Sequence, residues 1–126
     1  MIEKLLLVAA GGACGASLRF LSVSAFMRLT GDTAYGTLFV NVVGSFLMGL
    51  AVVLLAARFP EAGARFMPLI TVGLLGGFTT FSAFSLDAIR LIEDGRIAGA
   101  SAYIAGSVVL SILALVVGMF LGRTLV

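Results

Sequence analysis

The chain consists of long apolar stretches separated by short polar connections. Three stretches without a charged residue are long, and a fourth is interrupted only by Arg19. A helix of about 20 apolar residues crosses the hydrocarbon core of a bilayer. The pattern therefore predicts four transmembrane helices with short turns between them. The predicted spans are about residues 4–27, 34–57, 66–88 and 98–122.

The composition agrees with an all-α membrane protein formed by a single domain, residues 1–126. The chain is 61% hydrophobic and 11% charged, whereas soluble domains are about 45–50% apolar. The connections around residues 30–32, 58–65 and 92–95 are expected to be turns. A single cysteine, Cys14, rules out an intrachain disulfide. The absence of histidine and of a cysteine cluster argues against a transition-metal site. The first stretch resembles a cleaved signal, but its apolar pattern resumes after Arg19, which favours a membrane helix.

Positive charge is divided almost evenly between the two sides of the predicted bundle. One side has Lys4, Arg58, Arg65 and Arg123, and the other has Arg28, Arg90 and Arg96, with Arg19 added if it snorkels that way. The positive-inside rule then gives almost no preferred orientation. A chain that inserts both ways would assemble as an antiparallel homodimer with its two-fold axis in the membrane plane. The alternative is that one or two charges, or the lipid, select one orientation.

The third predicted span contains an unusual stretch, GLLGGFTTFSAFS at Gly73–Ser85. Its glycines weaken helix continuity, and its hydroxyls surround the aromatic pair Phe81 and Phe84. The sequence predicts a helix break near residues 76–80. In hydrocarbon, a broken helix is tolerated only where it faces protein, an ion or a wet cavity, so this stretch is the predicted functional centre.

Further polar residues occur inside the other spans. Asn41 could be interhelical glue or a donor facing an aqueous vestibule, and Arg19 could be a snorkelled charge or a functional cation. The hydroxyls of Tyr103, Ser107 and Ser111 recur every four residues and predict one polar stripe on the fourth helix, although a serine can simply bond its own helix.

These polar residues are expected in one half of the membrane, where they offer hydrogen-bond donors and aromatic ring edges. No acid is expected among them, which predicts a narrow anion path. A proton-coupled exporter of cationic drugs would need an embedded carboxylate, whereas the acids are expected at helix ends or turns. A non-transporting membrane subunit or a holin-like pore former would leave the polar cluster unexplained, and no residue set indicates an enzyme.

Three segments together resemble the CrcB, or Fluc, family of fluoride channels. They are GGACGASLRF (residues 11–20), GTLFVNVVGSFLMG (residues 36–49) and GLLGGFTTFSAFS (residues 73–85). The resemblance covers all four spans. It implies an antiparallel, dual-topology homodimer in the bacterial inner membrane, with two pathways for passive fluoride efflux that lowers cytoplasmic toxicity.

The resemblance also implies roles for individual residues. The paired phenylalanines, the pore asparagine, the polar track and the vestibule arginine would form the fluoride pathway. These residues are Arg19, Asn41, Phe81, Ser82, Phe84, Tyr103, Ser107 and Ser111. The main-chain carbonyls of Gly76 and Thr79 would bind a structural sodium ion that is not transported. The implied partners are fluoride, sodium, a second copy and the lipid bilayer, with no nucleic acid. Ala83 and Leu115 depart from the family pattern.

Overall fold

The computed structural model describes residues 1–126 as an entirely helical protein. Its elements are α1 (Ile2–Thr30), α2 (Thr33–Arg58), α3 (Pro60–Met67), a π-helical segment (Pro68–Leu75), α4 (Gly76–Phe78), α5 (Phe81–Glu93) and α6 (Ile97–Leu125). Four helical units are long and apolar enough to cross a membrane: Ile2–Thr30, Thr33–Arg58, Pro60–Glu93 and Ile97–Leu125. The predicted all-α class with four membrane-spanning helices is confirmed.

The connections between the spans are shorter than expected. Gly31 (φ 76°) and Gly95 (φ 75°) adopt the left-handed conformation that ends α1 and follows α5, a position suited to glycine. The segment 58–65 was expected to be a turn, but only Phe59 separates α2 from α3. Pro60 is the first residue of α3, where proline has no amide to leave unpaired and its fixed φ favours helix.

Two ion pairs join the ends of the helices. Arg96 Nη1 lies 3.3 Å from Asp32 Oδ2, which links the α5–α6 and α1–α2 connections on one side of the bundle. On the opposite side, Arg65 Nε lies 2.6 Å from Glu3 Oε1. Three of the four side chains are well exposed, and that of Asp32 is partly exposed, so each pair stabilises the fold only slightly.

Glycines allow the spans to approach each other closely. A Cβ at Gly15 would clash with the Leu74 carbonyl of the π-helical segment, and one at Gly49 of α2 would clash with the Leu115 carbonyl of α6. The reciprocal contact exists on α6, because a Cβ at Gly118 would clash with the Phe46 carbonyl. Small residues drive helix association in membranes because they let backbones touch. These contacts hold α1 against the third span and α2 against α6.

The contact at Gly15 can be tested with a matched pair of substitutions. We expect Gly15→Ala to lower the free energy of unfolding by about 1–3 kcal/mol, the usual cost of overpacking. Gly12→Ala is the control, because nothing lies within 4 Å of a Cβ at Gly12, and alanine there should be neutral or slightly stabilising. Denaturant titration in detergent measures both variants. Equal stability of the two variants would contradict the close contact.

Candidate functional site

The backbone of the third span departs from the α-helix at two threonines between α4 and α5. Thr79 (φ −86°, ψ 160°) and Thr80 (φ −155°, ψ 121°) are extended. The Thr80 hydroxyl caps α5 by accepting a hydrogen bond from the Ala83 amide at 3.1 Å, as N-cap threonines do. The eight preceding residues, Pro68–Leu75, are π-helical, a form found in short stretches that are frequently functional.

Asn41 of α2 fixes this extended segment through two hydrogen bonds. Its Oδ1 accepts from the Thr80 amide at 2.7 Å, and its Nδ2 donates to the Thr80 carbonyl at 2.9 Å. Asn41 therefore links α2 to the third span through hydrogen bonds, as one of the two sequence interpretations predicts. A side-chain amide carries two N–H donors, so one N–H of Asn41 is left to serve another acceptor.

A groove of about 480 Å³ opens beside the extended segment. Most of the residues predicted for the ion pathway and the sodium site line it: Asn41, Gly76, Thr79, Phe81, Phe84, Ser107 and Ser111. Leu115, one of the two departures from the family pattern, lines it as well. No charged side chain is among the lining residues, so the groove offers dipoles and aromatic rings.

The two phenylalanines differ sharply in exposure. Phe81 is 76% exposed, whereas Phe84 is 8% exposed. Their ring centroids lie 5.3 Å apart with the planes inclined at 56°. The edge of an aromatic ring is the positive end of its quadrupole, so an inclined pair can direct ring edges toward an anion. Phe81 extends from the subunit surface, and Phe84 belongs to the interior.

Ser107 has the one buried side-chain polar atom without a hydrogen-bond partner. Its Oγ is inaccessible and unpaired, while Ser17, Ser85 and Ser101 bond carbonyls of their own helices. An unpaired buried hydroxyl is costly. Because Ser107 also lines the groove, its hydroxyl is a donor suited to a ligand in that space.

Three predicted pathway residues lie outside the groove lining. Ser82 is exposed, with its Oγ 3.4 Å from the Thr80 hydroxyl. Tyr103 packs on Phe84 with centroids 5.4 Å apart, and its hydroxyl donates to Asp87. Arg19 lines a second cavity, and its Nη1 donates to the Thr79 carbonyl at 3.2 Å.

Asp87 corrects one expectation from the sequence. It lies inside α5 and is 5% exposed, not at a helix end or turn. Its carboxylate accepts from Thr33 Oγ1 at 2.7 Å, Thr37 Oγ1 at 2.6 Å and Tyr103 OH at 3.3 Å. The case against a drug exporter now depends on two facts: Asp87 does not line the groove, and hydroxyls occupy its oxygens.

The residue spacing on α2 and α5 contains a pattern that predicts the cluster of hydroxyls around Asp87. Thr33, Thr37 and Asn41 follow one another at four-residue spacing on α2, and Asp87 continues the three-residue spacing of Phe81 and Phe84 on α5. Residues three or four apart share a helix face. The polar face of α2 therefore extends from Asn41 toward Asp87.

We expect Thr37→Val to lower the free energy of unfolding by about 1.5–3 kcal/mol, because it removes a hydrogen bond to a charged group. Thr37 is 1% exposed, so water cannot replace its hydroxyl. Thr71→Val is the control, since the Thr71 hydroxyl bonds only the Met67 carbonyl of its own helix. Denaturant titration in detergent compares them. A loss no larger than that of the control would contradict the structural role of the cluster.

A sodium ion is bound by oxygen ligands, and the predicted ligands here are the main-chain carbonyls of Gly76 and Thr79. The Thr80 amide donates to Asn41, so the Gly76 carbonyl lacks that helical donor, and a freed carbonyl suits a hard cation. The Thr79 carbonyl already accepts from Arg19. No cluster of three or more His, Cys, Asp or Glu side chains could hold a metal. The Gly76 carbonyl is therefore a candidate ligand for a hard cation, whereas the Thr79 carbonyl is shared with the Arg19 guanidinium.

Comparison with known proteins identifies the family of the chain. The family model described as "CrcB-like protein, Camphor Resistance (CrcB)" matches residues 6–119. The chain belongs to the CrcB family. It is 54% identical over 120 residues to a protein of Cereibacter sphaeroides (strain ATCC 17029), covering 94% of each chain. It is 51% identical over 122 residues to a protein of Chelativorans sp. (strain BNC1), covering 96% of this chain and 97% of that one. Both are named "Fluoride-specific ion channel FluC".

Membership of the CrcB family agrees with the membrane architecture. A protein of Paracoccus denitrificans with the same name is 46% identical over 125 residues, covering 99% of this chain. The resemblance inferred from the three sequence motifs is confirmed. The chain is a multi-pass protein of the bacterial inner membrane, from a family of ion channels rather than enzymes.

Proposed function

We propose that the chain is a fluoride-specific channel that allows passive fluoride efflux and so lowers cytoplasmic fluoride. The names of the CrcB relatives support fluoride as the conducted ion. The observation that carries the proposal is the unpaired, buried Ser107 hydroxyl in a groove that no charged side chain lines. Such a groove presents donors to an anion without holding it by a full charge.

The proposed path exchanges hydration for protein donors in small steps. Burying an ion without compensation costs tens of kcal/mol by Born solvation, so the groove must return most of that energy. The candidates are the remaining Asn41 N–H, the hydroxyls of Ser107 and Ser111, and the ring edges of Phe81 and Phe84. Each donor is weak alone, which allows release as well as binding. A path narrowed by a second copy over the groove would exclude the larger chloride.

In this proposal, Arg19, Ser82 and Tyr103 act beside the path. Tyr103 supports Phe84 through ring contact, and Arg19 supplies positive charge near the Thr79 carbonyl. Ser82 lies next to the Thr80 hydroxyl, at the start of α5. Their contribution would be to shape the path and attract the ion.

We further propose an antiparallel homodimer with two fluoride pathways. The groove is open on the surface of the chain within the membrane-spanning helices, where lipid cannot satisfy its polar groups, and its lining residue Phe81 is 76% exposed. A second copy would cover both. The even division of positive charge supports dual topology, and a two-fold axis would create two equivalent grooves.

A structural sodium ion at the dimer centre completes the proposal. Two carbonyls from one chain, Gly76 and Thr79, are too few ligands for a hard cation, and a second copy would double the set. When bound, the ion would hold the two extended segments together through electrostatic attraction. The broken third helix supplies these carbonyls, because its extended residues leave them without helical donors.

A cellular experiment tests the proposed function. Bacteria without a fluoride exporter of their own would express the chain and be exposed to fluoride. We expect lower cytoplasmic fluoride, measured by fluorine NMR, and growth at higher fluoride concentrations than the vector control. Unchanged fluoride accumulation, with the protein present in the membrane, would contradict the proposal.

A further inference from the structure

The net positive charge of the chain is located at one end of the helical bundle, where α1 begins, α6 ends and α3 lies. This end has two acidic residues and four basic ones, which we call the basic cluster: Lys4, Arg58, Arg65 and Arg123. At the opposite end, three basic and three acidic residues cancel: Arg28, Arg90, Arg96, Asp32, Glu93 and Asp94. Arg19 and Asp87 cancel within the spans. The formal net charge of +2 is therefore that of the end with the basic cluster.

Contacts between helices hold the basic cluster on one surface. Arg65 of α3 pairs with Glu3 of α1, and Arg58 Nη2 at the end of α2 donates to the Leu125 carbonyl of α6. A Cβ at Gly63 would clash with the Leu55 carbonyl, so α3 packs against α2. The ends of all four spans are thereby joined, and the four cations share one surface.

Three cations of the basic cluster have no carboxylate partner. The ion pairs of the chain are Arg65–Glu3 and Arg96–Asp32, so Lys4, Arg58 and Arg123 have no carboxylate oxygen within salt-bridge distance. All three side chains are exposed. Glu61 is the one unpaired acidic side chain at this end. The surface therefore presents three free cations against one free carboxylate.

The length of the third span places α3 in the headgroup region of a bilayer. The helical unit Pro60–Glu93 has 34 residues, whereas about 20 cross the hydrocarbon core, and α3 carries the charges of Glu61 and Arg65 at its start. Phe59 and Phe66 are 58% and 40% exposed, and the Arg65 guanidinium carbon lies 5.7 Å from the centroid of the Phe66 ring. Basic and aromatic side chains on one helix are typical of segments at the boundary between headgroups and acyl chains.

We propose that the basic cluster binds the headgroups of anionic phospholipids. Lys4, Arg58 and Arg123 contact the lipid phosphate, while Phe59 and Phe66 contact the upper part of the acyl chains. Phosphatidylcholine has the same phosphate, but the free cations repel its quaternary ammonium group, so a lipid with net negative charge is preferred. The opposite end of the bundle, where charges cancel, has no such preference. In the proposed antiparallel homodimer, one basic cluster would face each leaflet.

The test measures lipid binding to the full chain in detergent by native mass spectrometry at fixed ionic strength. The probes are phosphatidylglycerol and phosphatidylcholine with identical acyl chains. We expect phosphatidylglycerol to bind at least about fivefold more tightly. Lys4→Gln and Arg123→Gln should each lower the affinity for phosphatidylglycerol about fivefold, which corresponds to about 1 kcal/mol for each basic residue near an anionic lipid. Neither side chain is buried or ion-paired, so both variants should fold as the wild type does.

Arg28→Gln is the matched control. It removes the same charge from the opposite end, where Arg28 is exposed and unpaired in the last turn of α1, and its affinity for phosphatidylglycerol should equal that of the wild type. Glu61→Gln removes the opposing carboxylate and should raise the affinity about two- to fivefold. Misfolding does not produce a gain of this kind.

Three results would overturn the lipid site: equal binding of the two lipids, an equal loss of affinity in Arg28→Gln, or no loss in Lys4→Gln and Arg123→Gln. Displacement of phosphatidylglycerol by dissolved inorganic phosphate, at constant ionic strength, would show a site for free phosphate and would also overturn it. Fluoride efflux tests the channel separately, so failure of the lipid site would leave the proposed function intact.

Discussion

Phe81→Ile is expected to lower fluoride efflux at least about 100-fold while the protein still assembles as the wild type does. Phe81 lines the groove and is 76% exposed in the subunit, so an aliphatic side chain removes little packing within the chain. It does remove the ring edge, the positive end of the aromatic quadrupole. Losing about 2.7 kcal/mol of stabilisation along the path would suffice for this change in rate. Efflux from liposomes and gel filtration in detergent measure the two properties.

Phe120→Ile is the control for this substitution. Phe120 is 67% exposed on α6 and lies outside both cavities, so its ring takes no part in the groove. We expect normal fluoride efflux from this variant. Normal efflux from Phe81→Ile as well would remove the ring from the ion path and sink its assignment.

Asn41→Leu is expected to reduce both stability and fluoride efflux. The substitution removes two hydrogen bonds to Thr80 and leaves a main-chain amide and carbonyl unpaired in the membrane. An unsatisfied buried group costs about 1–3 kcal/mol, so we expect the free energy of unfolding to fall by about 2–5 kcal/mol. Efflux should fall at least about tenfold, because the extended segment loses its attachment and the path loses a donor. Denaturant titration in detergent and liposome efflux measure the two effects.

Ser45→Ala is the control for Asn41→Leu. Ser45 lies one helical turn further along α2 and lines the same groove, but it forms no side-chain hydrogen bond comparable to those of Asn41. We expect its stability to change by less than about 0.5 kcal/mol, as for substitutions away from bonded groups. An Asn41→Leu variant as stable and active as Ser45→Ala would contradict the role of the Asn41–Thr80 bonds.

The spans follow from sequence because their physics is local. Three uncharged apolar stretches are each long enough to cross a bilayer, and the first stretch is long enough once Arg19 is included. All four appear as helical units. Arg19 did not end the first span, because its guanidinium reaches the Thr79 carbonyl of the third. That contact joins residues far apart in the chain, so no local sequence pattern predicts it. The polar residues of 58–65 predict a turn, but the structure has the helix α3 there. Pro60 is a favourable first helical residue.

The sequence predicts the extended segment of the site but not the features that depend on contacts between helices. Glycine and threonine in the third span mark the segment where Thr79 and Thr80 are extended. No local pattern predicts the π-helical form of Pro68–Leu75, which lies against α1. The sequence predicts Asp87 at a helix end because it is the first charged residue after the third apolar stretch. Its partners, Thr33, Thr37 and Tyr103, come from two other helices, and only the folded chain brings them together.

Halide efflux from liposomes containing the purified protein tests the central claim most directly. Fluoride and chloride electrodes would follow both ions, with sodium present or replaced by a large organic cation. We expect fast fluoride efflux without chloride efflux, and loss of the fluoride signal when sodium is absent during assembly. Absence of fluoride efflux from well-folded protein in sodium, or equal efflux of the two halides, would contradict a fluoride-specific channel.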